Sequence, residues 1–159
     1  MSETRGQHIA TLTETSDRLA QLTDGLSDGA LDYRSQPDDW SIREILAHLV
    51  DDEMFIMRAR LERMVKEDHP TLAPHDEKHW YATRNTSRDQ LAELLSDFTI
   101  QRAASMNIIT FLNDDQWARQ GFQPEYGHFT AEEWLGLWAA HDITHIEQIE
   151  RIRKTTERK

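Results

Sequence analysis

Residues 130–153 read TAEEWLGLWAAHDITHIEQIERIR, and this stretch decides the fold. Thr130 followed three residues later by Glu133 is a capping box. The Thr hydroxyl and the Glu carboxylate each satisfy a backbone N–H that a starting helix leaves open. From there a stripe at steps of four and three runs Trp134, Trp138, His141, His145, Gln148, Ile152. That spacing keeps side chains on one face of an α-helix. The face is apolar at both ends and imidazole in the middle. A helix through about Arg153 is therefore expected to place two histidines, one turn apart, where apolar residues normally sit. Buried imidazoles need partners for their nitrogens.

The same capping signal recurs at Ser41 and Glu44, with Trp40 just before the cap in the place of a staple residue. Helix two is expected from there to about Lys66, its core face carrying Ile45, His48, Asp52 and Phe55. A first helix, about Thr4 to Thr23, sets Ile9, Leu12, Ser16, Leu19 and Leu26 at helical steps before Asp24, Gly25, Asp28 and Gly29 break the pattern. The stretch His69 to Ser87 contains Pro70 and Pro74 and lacks sustained periodicity, so it reads as a loop with at most one short helical turn. Ser87 is the expected cap of helix three, which carries Leu91, Leu94, Leu95, Phe98, Ile108, Ile109 and Leu112 on one side. Gly121, Pro124 and Gly127 punctuate the next connection, and strand alternation is not evident anywhere. Four amphipathic helices of about 20 residues or more predict an all-α four-helix bundle with a long connection between helices two and three. With no internal repeat or linker in view, residues 1–159 are read as a single domain.

Composition narrows the function. The chain has 159 residues, 38% hydrophobic and 30% charged, which suits one globular domain. No apolar run approaches the roughly 18 residues of a membrane helix, and MSETRGQHIATLTE has no apolar h-region, so neither a span nor a signal peptide is expected. Eighteen Lys and Arg against 29 Asp and Glu leave a net charge of −11. A nucleic-acid partner needs a basic face. The one basic cluster, Arg151, Arg153, Lys154, Arg158 and Lys159, complements the negative end of a terminal helix instead. The chain has no Cys, which excludes disulfides, Cys-ligated zinc and an internal thiol nucleophile, and is compatible with a cytoplasmic protein.

Two readings of the inward histidines follow from the residues. A bundle can bring His48 on helix two against the pair His141 and His145 on helix four, giving three nitrogen ligands and an open position on a divalent ion. Alternatively they are three unrelated polar residues satisfied by hydrogen bonds. The HDITH segment differs from the HExxH helix of zinc peptidases, because Asp142 is shorter than Glu and the downstream G-x-x-H is missing. A peptidase is rejected.

WSIREILAHLVDDE at 40–53 and EYGHFTAEEWLGLWAAHDITHIEQIER at 125–151 together resemble the DinB-like (DinB/YfiT) superfamily. The likeness spans nearly the whole chain, including helix three with Phe98 and Arg102 one turn apart. It implies a four-helix bundle whose metal is held by His48, His141 and His145. It also implies either thiol-dependent S-transfer or isomerisation with a low-molecular-weight thiol, or metal-dependent hydrolysis. All-imidazole ligation favours zinc or nickel.

The remaining candidates are weighed by their surroundings. Asp52 lies one turn beyond His48 and is the candidate general base, although the run Asp51-Asp52-Glu53 reads more simply as a solvated face. Arg102 is a candidate receptor for a substrate carboxylate, against an ordinary salt bridge at the rim. Trp80 and Trp134 are candidates to line an apolar substrate pocket, whereas Trp138 reads as core. His75 and His79 read as solvated loop residues, and His128 is expected near the mouth of the site. The expected partner is a small-molecule substrate, with no nucleic acid and no membrane, and the expected assembly is a homodimer. The alternative to an enzyme is a non-catalytic metal- or small-molecule-binding helical dimer.

Overall fold

The computed structural model describes residues 3–158. After α1 (Glu3–Thr23) and the short α2 (Asp28–Leu31) comes a long rod formed by α3 (Ile42–Asp52), a π-helical turn (Glu53–Arg58) and α4 (Ala59–Lys66). A crossover holding α5 (Glu77–Ala82) leads to α6 (Leu91–Ile109). Then α7 (Asp114–Trp117) and a hairpin of β1 (Gln120–Gln123) and β2 (Gly127–Thr130) precede α8 (Ala131–Thr156). Among the described residues no helix is long and apolar enough to cross a membrane.

Both capping boxes form as the sequence predicts, at Ser41–Glu44 and Thr130–Glu133. Gly25, at φ +72°, ends the last turn of α1 in the left-handed region that favours glycine. Helix three starts later than expected. Gln90 is its cap, and Ser87 lies in a separate 3₁₀ turn (Thr86–Arg88) bonded to Asn85. The hairpin was not expected, since four-residue strands are too short to show alternation. Gly121 is needed there because a Cβ would meet the Met64 side chain at 2.8 Å.

The π turn changes the register of the long rod. A continuous α-helix would carry the Ile45–His48–Asp52 face on to Phe55. A π turn accommodates an extra residue, so Met57, Leu61 and Met64 are buried while Phe55 is 46% exposed. The expectation that Phe55 faces the core is corrected accordingly.

Side-chain contacts give the helix directions. α1 and α8 are parallel, because Arg5 reaches Glu132, Thr15 reaches Asp142, and Arg153 reaches the carbonyls of Gln21 and Leu22. The long rod is antiparallel to α8, with His48 facing His145 and Trp134 donating to the Met57 carbonyl. It is parallel to α6, since Arg43 reaches the Asp89 carbonyl and Glu53 receives Arg102. α1 and the rod each pack on both α6 and α8, and so occupy opposite corners. Parallel neighbours cannot be joined by a short turn, which accounts for the long connection over 67–90.

Two apolar clusters fill the bundle. One gathers Leu12, Met57, Leu61, Ile109, Trp134 and Trp138, and the other Leu19, Ile42, Ile45, Phe98 and Ile149. Each long helix passes from one cluster to the other, and at the crossing each carries buried polar residues. These are Thr15 on α1, His48 and Asp51 to Glu53 on the rod, Arg102 and Ser105 on α6, and Asp142 and His145 on α8. A polar belt therefore crosses the bundle between two apolar layers.

Candidate metal centre

His48 is delivered by the capped and almost wholly buried α3, and His141 and His145 by successive turns of α8. The Nε2 atom of His48 lies 3.2 Å from that of His141 and 3.1 Å from that of His145. The two histidines of the sequence stripe and the one from helix two thus converge through the same ring atom. Gln148 Oε1 accepts from Nδ1 of His145 at 2.7 Å. That bond puts the His145 proton on Nδ1 and leaves an Nε2 lone pair directed at the centre.

Asp52 completes the cluster. It is 5% exposed, and its Oδ2 lies 3.4 Å from His48 Nε2 and 3.3 Å from His141 Nε2. Its Oδ1 approaches His75 Nε2 to 3.1 Å without hydrogen-bond geometry, so both atoms are buried and without a hydrogen-bond partner. The crossover supplies a further carboxylate, Glu77, with Oε2 3.4 Å from His48 Nε2. Trp80 donates to Asp51 at 3.0 Å and stacks at an angle on the exposed Phe55.

These donors fit a divalent transition ion. Nitrogens bound tetrahedrally at about 2.0–2.1 Å stand about 3.3 Å apart, close to the separations seen here. His48 Nε2 has at most one proton and cannot donate to both neighbouring imidazoles. A cation shared by three lone pairs removes that conflict. The electrostatics point the same way. Burial lowers the His48 pKa to about 3 and the His145 pKa to about 4, keeping both rings neutral and able to ligate. Burial also opposes charge on His141, but the carboxylates of Asp142 and Asp52 outweigh it and raise its pKa to about 9. Burial works against the Asp52 carboxylate too, yet the three neighbouring histidines His141, His48 and His75 hold its pKa below the ordinary value. The Asp142 and Asp52 carboxylates thus favour positive charge at His141, while burial keeps His48 and His145 neutral.

Behind the imidazoles lies a salt-bridge network. Arg102 grips Glu53 through Nε at 2.7 Å and Nη2 at 2.9 Å, and donates from Nη1 to Asp142 at 2.7 Å and to the Leu12 carbonyl at 2.7 Å. Thr15 adds a 2.6 Å bond to Asp142, and Trp138 donates to Glu53. Asp142 Oδ1 in turn faces Nδ1 of His141 at 3.8 Å, both atoms lacking a hydrogen-bond partner. A modest ring movement would close this contact.

Several sequence expectations are corrected here. Arg102 is 3% exposed, with its guanidinium taken up by two carboxylates and a carbonyl, so it is not poised to receive a substrate. Trp134 is buried and bonded to the Met57 carbonyl, which removes it from any substrate wall. The acidic run Asp51-Asp52-Glu53 is buried, each carboxylate against its own partners, and does not form a solvated face. His75 joins the cluster instead of remaining in solvent, whereas His79 is exposed. His128 lies on the hairpin against Phe122. Glu77 and His75 escaped the sequence reading because a crossover has no periodicity from which to infer facing. The buried Asp at i+4 from His48 was the available signal for Asp52.

The DinB superfamily model matches residues 11–149. The chain is 25% identical over 153 residues to "Putative metal-dependent hydrolase YfiT" of Bacillus subtilis, covering 96% of this chain and 85% of that protein. It is 26% identical over 141 residues to "Putative metal-dependent hydrolase OB0782" of Oceanobacillus iheyensis, covering 81% and 74% respectively. The solved structure of B. subtilis YfiT, described as "a probable metal-dependent hydrolase with an unusual four-helix bundle topology", superposes with a TM-score of 0.88 at 24% identity, over 99% of this chain and 90% of that one. The helix directions of this chain, with the rod parallel to α6 and α1 parallel to α8, make an up-down-down-up order. Matched by the family model over most of its length, the chain belongs to the DinB superfamily.

Proposed function

We propose that this protein is a metal-dependent hydrolase of small molecules. In this reading His48, His141 and His145 hold one divalent transition ion, zinc or nickel, and Asp52 is the general base. The observation that carries the proposal is the convergence of three imidazole Nε2 atoms beside a buried carboxylate. An ion held there supplies Lewis-acid chemistry and acidifies a nucleophile in its open position. Asp52, whose Oδ2 faces the cluster, can accept a proton given up there. Gln148 fixes the His145 ring, and the Arg102-anchored Asp142 backs His141. The names carried by the relatives agree with hydrolysis.

The family resemblance also implies a thiol nucleophile, which would have to come from a separate small molecule because the chain has no Cys. A metal-coordinated thiol ionises without a neighbouring base, so the buried Asp52 favours water. The test uses chromogenic esters and amides with the zinc-loaded full chain. Asp52→Asn should lower turnover by about 10²- to 10⁴-fold with metal content unchanged. Equal turnover by Asp52→Asn, or turnover only on adding a thiol, would overturn the hydrolase reading.

A further inference from the structure

We infer that the cavity between the Trp40 loop and α8 is a substrate pocket for small organic monocarboxylates. Its role in the reaction rests on the hydrolase reading, but its capacity to bind does not. The cavity measures about 450 Å³, within the range of small-molecule sites. Two of its walls are in direct contact with the proposed metal ligands. Trp40 stands edge-on to His48 with ring centroids 4.8 Å apart, and Gln148 is the residue bonded to His145. Ile45 and Ile152 add buried apolar surface. α5 and the crossover lie over the Asp52 end of the cluster, where His75, Glu77 and Trp80 are engaged. On the Trp40 side a lined cavity thus lies one side chain away from His48 and His145, with Trp40 and Gln148 as the shared walls.

Arg151 supplies the charge. It lines the cavity one turn beyond Gln148, is exposed, and among the described residues makes no ion pair or side-chain hydrogen bond. Two residues away, Arg153 is tied to Glu157 and to the carbonyls of Gln21 and Leu22. A planar guanidinium with its donors available matches a carboxylate through two parallel bonds. Asp39 on the rim repels a second negative charge, which selects monoanions over dianions. The body of the ligand would lie on Trp40 and the two isoleucines, with its carboxylate at Arg151 and its other end against the Trp40 and Gln148 walls that back His48 and His145.

The probes are phenylacetate and its neutral isostere phenylacetamide, followed by NMR through the Trp40 indole N–H and the Gln148 side-chain amide. Both zinc-free and zinc-loaded full-length protein are used, so that binding to the pocket is separated from binding to the ion. Phenylacetate should shift both signals saturably and bind about tenfold more tightly than the amide, as expected for a charge-assisted bidentate contact. Arg151→Gln, a change at an exposed and unpaired position, should abolish that preference while zinc stoichiometry is unchanged. Equal binding of the two probes, a preference that survives Arg151→Gln, or no response at Trp40 would overturn the pocket. Phenylacetate binding that persists in a protein unable to hold zinc would uphold the pocket and sink the metal centre alone.

Discussion

At Arg102 a single guanidinium from α6 ties all four long helices together, holding Glu53 of the rod, Asp142 of α8 and the Leu12 carbonyl of α1. Removing one partner of a buried ion pair leaves the others charged and unsolvated. Arg102→Ala should therefore cost about 3–5 kcal/mol in urea unfolding, a loss of stability and not a selective loss of anionic substrates. The spacing of Phe98 and Arg102 was legible in the sequence, but a lone arginine on a helix gives no sign of which carboxylates it will meet. The histidines make a second prediction. His48 and His145 have folded pKa values of about 3 and 4 against 6.5 for an unperturbed ring, so below pH 6.5 the unfolded chain takes up protons that the metal-free fold refuses. Their contribution is present above pH 6.5 and is lost as pH falls toward 4. His141 has the opposite sign, because with a folded pKa of about 9 it stabilises fully below pH 6.5 and loses that effect as pH rises through 9. Each group contributes a slope of about 1.4 kcal/mol per pH unit within its window. Metal-free protein should be most stable near pH 6.5, with the acid side about twice as steep. A stability maximum well below pH 5 would show that His48 and His145 are not buried neutral.

Among the elements, the helix starts were the most legible, since Ser41 with Glu44 and Thr130 with Glu133 declare themselves locally. The π turn did not, because no residue type in EMFIMR encodes the extra residue it accommodates. Its effect is to let His48 and Asp52 face the histidine cluster while Glu53 and Met57 still point inward. A direct check compares two truncations by equilibrium unfolding. Met57→Ala should cost about 2–5 kcal/mol, and Phe55→Ala under about 1 kcal/mol. The order would be reversed in an uninterrupted α-helix. Pro70 and Pro74 disrupt periodicity in the crossover, and its contribution of His75 and Glu77 depends on tertiary folding alone.

On the scale of the whole molecule, the bundle is two apolar layers separated by a belt of buried charge and imidazole; the Arg102 network satisfies one part of the belt, and the metal reading accounts for the imidazoles. Apolar periodicity in four segments was enough to give the bundle, and the polar intruders His48, Asp52, His141 and His145 in those stripes marked where the belt would lie. The up-down-down-up order was not legible, because amphipathic stripes say which face is buried and nothing about which neighbour buries it. Parallel pairing of the rod with α6 is what draws the crossover back along the bundle and sets His75 and Glu77 over the centre. The claim on which the account turns is that the three imidazoles form a metal site, and elemental analysis of tag-free protein addresses it most directly. After equilibration with zinc and removal of excess, wild-type protein should retain about one ion per chain. The combined His48→Ala, His141→Ala, His145→Ala variant should retain almost none while keeping its helical content, since both apolar layers remain. Full stoichiometric zinc in that variant, or none in the folded wild type, would contradict the account.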